Sequence, residues 1–330
     1  MKELQAIVGH LNGSKSGGVL ATLVTVDGSS YRKPGARMLI AEGGLRIGSI
    51  SGGCLEEDLI ERSGRVSAAG RAELVVYDTT ADNDLLWGVG LGCHGVIRVL
   101  LEPVSAGPGW AAAVADSFRA GRAADLAVVW GGPGPKGTFL REGRAATRLA
   151  ATGVLLETVE PPVPLYIFGA GDGARPLARL ARELGWRVSV ADPRPALVTE
   201  ARFPGVAGLV TCPADELVAR VQPPPGSLAV IMTHHYVHDR PLLRQLLALP
   251  LAYLGMLGAR ARSERILAEL AAEGFAATPE MLARLHSPVG LDLGGEGPDE
   301  VALSIMAEMM AVLAGRDGRP LRERTLPIHA

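Results

Sequence analysis

Apolar residues change their arrangement at about the middle of the chain. The first half carries short apolar blocks separated by glycine, the mark of strands joined by tight turns. Residues 18–26 (GVLATLVTV) predict a buried strand ended by Asp27-Gly28-Ser29-Ser30. Residues 37–40 and 45–48 flank Glu42-Gly43-Gly44 and predict a hairpin. Residues 56–69 have helical character, and two strands are expected at 72–77 and 95–101. A helix at 110–120 leads to a strand at 126–130, then a Gly131-Gly132-Pro133-Gly134 turn and weaker strands ending near Val159. No element is assigned before residue 18.

Glu160-Pro161-Pro162-Val163-Pro164 is a stiff break. It divides the chain into expected domains at 1–160 and 161–330. Beyond it, compact apolar blocks at 165–168, 188–191, 206–210 and 228–232 alternate with helical segments at 174–184, 241–249 and 262–273. Such alternation predicts a parallel sheet with helices on both faces. Residues 298–313 open with Pro-Asp-Glu, a good helix first turn, and stack Val301, Ile305 and Met309 at four-residue spacing. The expected fold class is α/β: an N-terminal mixed α+β domain followed by a Rossmann-like parallel-sheet domain.

The first predicted strand of the second half runs into Gly169-Ala170-Gly171-Asp172-Gly173-Ala174 and then a helix, which is G-x-G-x-x-A in strand–turn–helix context. Gly169 permits the turn, Gly171 lets the backbone approach a pyrophosphate, and Ala174 lets helix and strand pack closely. The helix N-terminus, reached just after Asp172, offers N–H groups and a positive dipole end to phosphate. Asp192 ends the next strand 23 positions after Gly169, where a carboxylate can accept from a ribose. Arg194 suits either a 2′-phosphate or stacking on a base. Thr233 and His234 follow the 228–232 strand and should border the same crevice, as ligands bind outside the carboxyl ends of strands. Thr233 is expected to cap the following helix. His234 and His238 sharing a helical face as a metal pair is the weaker alternative to hydrogen bonding at the cofactor, so no metal site is assigned.

Three cysteines in 330 residues, behind no apolar leader, are expected to be free thiols in a reducing, cytoplasmic setting. Cys54 lies in Ser51-Gly52-Gly53-Cys54-Leu55-Glu56 at a strand-to-helix turn, and Cys93 in Gly90-Leu91-Gly92-Cys93-His94-Gly95. Two readings stand for this pair: thiols activated by a helix N-terminus and by glycine-exposed N–H groups, or small buried residues in tight turns. Cys212 lacks glycine neighbours and is expected to be structural. Glu56, Glu57 and Asp58 are expected to form a solvated helix start that favours the dipole, rather than acid–base machinery.

Net charge −2 and 4% aromatic residues argue against nucleic acid as a partner. The longest apolar stretches are interrupted by Arg, Gln, Pro and Gly and predict no membrane span.

Taken in order, these motifs resemble the XdhC/CoxI family, accessory factors of xanthine dehydrogenase and related molybdenum hydroxylases. The resemblance also rests on Pro34-Gly35-Ala36-Arg37-Met38, Asp192-Pro193-Arg194, Gly255-Met256-Leu257-Gly258, Ser287-Pro288-Val289-Gly290-Leu291-Asp292 and Pro298-Asp299-Glu300-Val301-Ala302. It implies an XdhC/CoxI-type domain carrying the glycine-flanked cysteines, and a carrier of molybdenum cofactor that supports exchange of an oxo ligand for sulfide. It further implies delivery to an apo molybdenum hydroxylase, a cysteine desulfurase as sulfur donor, and a homodimer. On that reading Cys54 and Cys93, with Gly52 and Gly53, line the molybdenum end, while Gly169, Gly171 and Asp192 hold the nucleotide of a dinucleotide form. Two positions depart from the family pattern: His94 stands for a glycine after the second cysteine, and Gly258-Ala259-Arg260 for Gly-Ser-Arg. The residues alone also admit an NAD(P)-dependent oxidoreductase with His234 near the nicotinamide. A third reading is a non-catalytic protein that docks a hydroxylase and uses its nucleotide only as a stabilising ligand.

Overall fold

The computed structural model describes residues 2–14, 16–28, 30–53, 55–78, 95–141 and 153–325. Its contacts divide into two compact units, Met1–Pro162 and Val163–Ala330.

In the first unit, β1 (Gly18–Gly28), β2 (Arg37–Ala41), β3 (Arg46–Gly48), β4 (Glu73–Asp78) and β5 (Gly95–Val104) form an antiparallel sheet in the order β3-β2-β1-β5-β4. Side chains alternate across β1, as strand geometry requires. Leu20 faces a core formed with α1 (Lys2–Gly13) and α3 (Gly109–Arg119). Val19, Ala21 and Leu23 face another, closed by α2 (Glu56–Ala69). A second antiparallel sheet, β7-β6-β8, comprises β6 (Ala124–Val129), β7 (Gly137–Leu140) and β8 (Val154–Val159).

Buried charge ties the two sheets together. Arg37, only 4% exposed, pairs with Glu157 of β8 and donates to the Gly35 carbonyl at 3.1 Å. Glu102 of β5 accepts the Thr138 N–H at 2.7 Å and the Thr138 hydroxyl. Burial raises the Glu102 pKa, and the two Thr138 bonds offset only part of that rise. Helix α1 is an addition to the sequence expectation. Its buried Leu4, Ile7, Val8 and Leu11 follow the helical period, although two glycines dilute the signal.

The second unit is a six-stranded parallel sheet, β11-β10-β9-β12-β13-β14. Its strands are β9 (Pro164–Phe168), β10 (Arg187–Ala191), β11 (Gly208–Val210), β12 (Leu228–Ile231), β13 (Tyr253–Met256) and β14 (Leu285–His286). Read by rank in the chain, this is the 3-2-1-4-5-6 order of doubly wound nucleotide-binding sheets. Leu165, Ile167, Val188, Val190, Leu228 and Val230 face α4 (Ala174–Glu183) and α9 (Pro298–Leu313). Phe168, Ala191, Ala229 and Ile231 face α5 (Leu217–Val221), α6 (Tyr236–Leu247) and α7 (Arg260–Ala272). The short α8 (Pro279–Ala283) precedes β14. Among the described residues, no helix is long and apolar enough to cross a membrane.

The helix expected at 241–249 is corrected. Helix α6 begins at Tyr236, five residues before Pro241, which lies inside it. The proline has no N–H for the Val237 carbonyl, and Val237 is exposed, so water can take that acceptor. Strand β13 lies outside the sequence expectation, because Leu-Gly-Met lacks β-branched residues. Its Gly255 is demanded by packing, since a Cβ there would sit 2.5 Å from Val289 Cγ2 and 3.0 Å from the Tyr253 ring.

Candidate functional site

The order reversal of the second sheet falls between β9 and β12, where an open α/β sheet makes its ligand crevice. Gly169 follows β9 with φ +123°, and a Cβ on it would lie 2.5 Å from the Met232 carbonyl carbon at the end of β12. Both the turn and the neighbouring backbone therefore require glycine. At Gly171, by contrast, a Cβ would meet nothing within 4 Å, and φ lies outside the left-handed range. The protein's own packing places no demand for glycine there. Ala174, fully buried, opens α4 against the sheet. In the first turn of that helix the Ala174 N–H donates to the Gly171 carbonyl at 3.1 Å, the Arg175 N–H donates to the Asp172 carbonyl at 3.3 Å and Pro176 has no N–H, so what the helix end offers a phosphate is the positive pole of its dipole.

Asp192 sits behind this loop, fully buried. Its Oδ2 accepts the Ala170 N–H and Arg194 Nη2, both at 2.7 Å. Its Oδ1 accepts the Arg194 N–H at 2.9 Å and Arg194 Nε at 2.8 Å. Burial alone would raise its pKa. The Arg194 guanidinium and the two backbone N–H groups outweigh that and hold it below the usual carboxylate range. In this arrangement the carboxylate is a latch on the glycine loop, and a ribose hydroxyl would have to displace Arg194 to reach it. Arg194, 49% exposed, is the solvent-facing half of the pair. Asp172 is held by Arg202 Nη2 at 2.9 Å, which also reaches the Ala170 carbonyl at 3.3 Å.

On the β12 side, the buried Thr233 hydroxyl donates to Asp239 at 2.5 Å and accepts the His235 N–H at 3.0 Å. The N-cap of α6 is His235, so Thr233 fastens the helix from two residues upstream rather than capping it. Asp239 also pairs with Arg262 of α7. His234 is exposed, with φ +58°, and precedes the helix. It therefore does not share a helix face with His238, whose ring instead stacks on His235 at 4.5 Å. Gly169, Gly171, Asp172, Ala174, Asp192, Arg194, Thr233 and His234 thus all lie at the carboxyl ends of β9, β10 and β12.

In the first unit, Gly52 and Gly53 are exposed, and a Cβ on Gly53 would meet nothing within 4 Å. They line a cavity of about 390 Å³ together with Tyr31, Arg32, Arg46, Ser49 and Glu56. Cys54, Cys93 and His94 lie outside the described residues. The expectation that Glu56 belongs to a solvated helix start is corrected: it is 7% exposed and organises the loop before position 54. It accepts the N–H groups of Ser51 at 2.8 Å, Ile50 at 3.1 Å and Leu55 at 3.2 Å, and the Ser51 hydroxyl at 2.5 Å. Burial pushes its pKa up, yet the bonds from Ser51 and its neighbours bring it below the ordinary value. Asp58 is likewise engaged, with Arg62 at 2.7 Å and the Tyr77 hydroxyl at 2.5 Å, whereas Glu57 is exposed. No pattern in three consecutive acids singles out the buried one. Cys212 is half-buried against the α5–α6 core, and burial, then the Glu216 charge, push its thiol pKa up.

A parallel sheet in this order, with a glycine loop at its reversal point and a buried acid behind that loop, defines a Rossmann-type domain. Residues 165–309 match the XdhC Rossmann domain, and residues 13–78 match the XdhC and CoxI family. The chain is 35% identical over 312 residues to a probable xanthine dehydrogenase subunit of Bacillus subtilis, spanning 88% of this chain and 92% of that one. It is 26% identical over 304 residues to the molybdenum cofactor insertion chaperone PaoD of Escherichia coli, spanning 91% of this chain and 84% of that one. A solved structure described as a xanthine dehydrogenase from Bacillus halodurans superimposes with TM-score 0.83 at 30% identity, covering 98% of this chain and 99% of the other. The protein belongs to the XdhC/CoxI family.

Proposed function

We propose that this protein is a maturation factor that holds molybdenum cofactor, supports its sulfuration and inserts it into an apo molybdenum hydroxylase of the xanthine dehydrogenase type. The observation that carries the reading is the open glycine loop above α4, in a chain similar over most of its length to a molybdenum cofactor insertion chaperone. Packing explains Gly169 but leaves Gly171 unexplained, and the close approach of a pyrophosphate explains it. A dinucleotide form of the cofactor contains that group. Its phosphates would lie on residues 169–174 and the α4 N-terminus, with the exposed Arg194 beside the nucleotide.

The molybdenum end is assigned to Cys54 and Cys93, because thiolates are the soft ligands that sulfur and molybdenum chemistry calls for. Glu56 supports this assignment by fixing the backbone on both sides of position 54. The same reading has a cysteine desulfurase as sulfur source, and a homodimer in the cytoplasm.

The test is retention of cofactor by the purified protein, read as bound molybdenum and as the fluorescent oxidised pterin, beside titrations with NAD(H) and NADP(H). Near-stoichiometric retention that falls at least tenfold in Cys54→Ser and Cys93→Ser is expected. Binding of nicotinamide nucleotide with no retained cofactor would move the NAD(P)-dependent oxidoreductase reading to the front.

A further inference from the structure

Away from the crevice, on the flank of α4, lies a cavity of about 380 Å³ closed by the segment around 201–206 and the start of α9. Its volume falls in the range of small-ligand pockets. Four arginines line it: Arg175, Arg179 and Arg182, at positions i, i+4 and i+7 of one face of α4, and Arg202 opposite. Against them stand only Asp172 and Asp299, so the lining carries a formal charge of +2.

The carboxylates are already committed. Asp172 pairs with Arg202 at 2.9 Å, and Asp299 with Arg179 at 2.5 Å. Arg175 and Arg182 have no carboxylate partner among the described residues. Arg202 keeps a buried Nε without a hydrogen-bond partner. The fold makes room for one of these charges: Gly205 has φ +67°, and a Cβ on it would lie 2.5 Å from Arg182 Nη2. Between the charges the lining is apolar, with Phe203, Val206 and Pro176.

We infer that this cavity binds a phosphomonoester of a small organic molecule, separately from the glycine loop. A phosphomonoester carries a charge of about −1.5 to −2 at neutral pH, which matches the lining. Guanidinium forks suit its oxygens better than point charges do. The apolar lining takes the organic body, and Arg175 and Arg182 take the phosphate. Asp172, whose carboxylate is taken up by Arg202 at the cavity wall, is the neighbour of Gly171 in the chain, so the two sites are adjacent but distinct.

The probe is phenyl phosphate, titrated calorimetrically into the full-length protein beside phenyl sulfate, which has the same shape and a single charge. One phenyl phosphate per chain is expected, with phenyl sulfate at least tenfold weaker. R175Q/R182Q should weaken phenyl phosphate at least tenfold, and Gly171→Val, which obstructs the glycine loop, should leave it within twofold. Equal binding of the two probes, no binding at millimolar phenyl phosphate, unchanged affinity in R175Q/R182Q, or loss in Gly171→Val would each overturn the assignment. If R175Q/R182Q fails to fold, arginine modification of the wild type by phenylglyoxal decides the matter. Phenyl phosphate should protect Arg175 and Arg182 in the digest, and unprotected arginines there would refute the site.

Discussion

Replacing Asp192 by alanine removes a carboxylate that makes four hydrogen bonds from a fully buried position. The Ala170 N–H, 2.7 Å from Oδ2, would be left buried without its partner. A charge-assisted bond of this kind contributes about 1.5–3 kcal/mol, and an orphaned buried donor costs on the same order. The Arg194 bonds add less, about 0–1 kcal/mol, because the half-exposed guanidinium regains water. The expected loss is therefore about 2–4 kcal/mol, in the ligand-free protein. The assay is amide exchange by mass spectrometry over residues 165–192, with urea unfolding alongside. Peptides containing Ala170 should lose protection by roughly 30- to 1000-fold, at about 1.4 kcal/mol per factor of ten. Asp192→Asn keeps one acceptor and should fall between the two. If Asp192→Ala leaves exchange and unfolding within about 0.5 kcal/mol of wild type while abolishing nucleotide binding, the latch is refuted and the acid acts on the ligand alone.

The two fingerprint glycines should part company: Gly169→Ala is expected to destabilise by about 3 kcal/mol or more, since backbone crowding and positive φ coincide, whereas Gly171→Ala should leave the urea midpoint unchanged and weaken only ligand binding. Glu56, whose folded pKa is depressed, contributes stability that is fully present above its unfolded value of about 4.3 and is lost as pH falls through the folded value. Acid titration of the first unit's stability should therefore be shallower in Glu56→Gln, and identical slopes would contradict the role assigned to this side chain. Ala259 is the N-cap of α7 and offers no side-chain acceptor. Ala259→Ser should stabilise the second unit by about 1 kcal/mol in urea unfolding, and a loss of stability would show that another group already serves that helix end.

The Rossmann half was the more legible in sequence. The fingerprint glycines stand between a strand and a helix, and the apolar blocks at 165–168, 188–191 and 228–231 become strands whose residues feed two distinct cores. Helix α9 starts at Pro298 and ends at Leu313, as its first-turn residues and four-residue spacing indicate. What sequence could not separate were residues of the same type with different surroundings. Asp192 stands at the spacing of a ribose acceptor, and only the structure adds that its carboxylate holds the Ala170 N–H and Arg194. Glu56 cannot be told from Glu57 until one is buried and the other is not. The arginines of α4 carry no signal of a cavity in sequence, because the segment around 201–206 that lines it with them lies beyond β10 in the chain. Pro241 misleads in the opposite sense, suggesting a helix start in mid-helix.

Activation of an apo-hydroxylase reads out delivery of molybdenum cofactor itself. Cofactor-loaded wild-type protein, mixed with a purified apo molybdenum hydroxylase, should restore xanthine-type hydroxylation. Cys54→Ser and Cys93→Ser, shown by circular dichroism to keep their fold, should not. Equal activation by all three proteins would contradict the assignment of the thiols, and no activation by the wild type would contradict the maturation role itself.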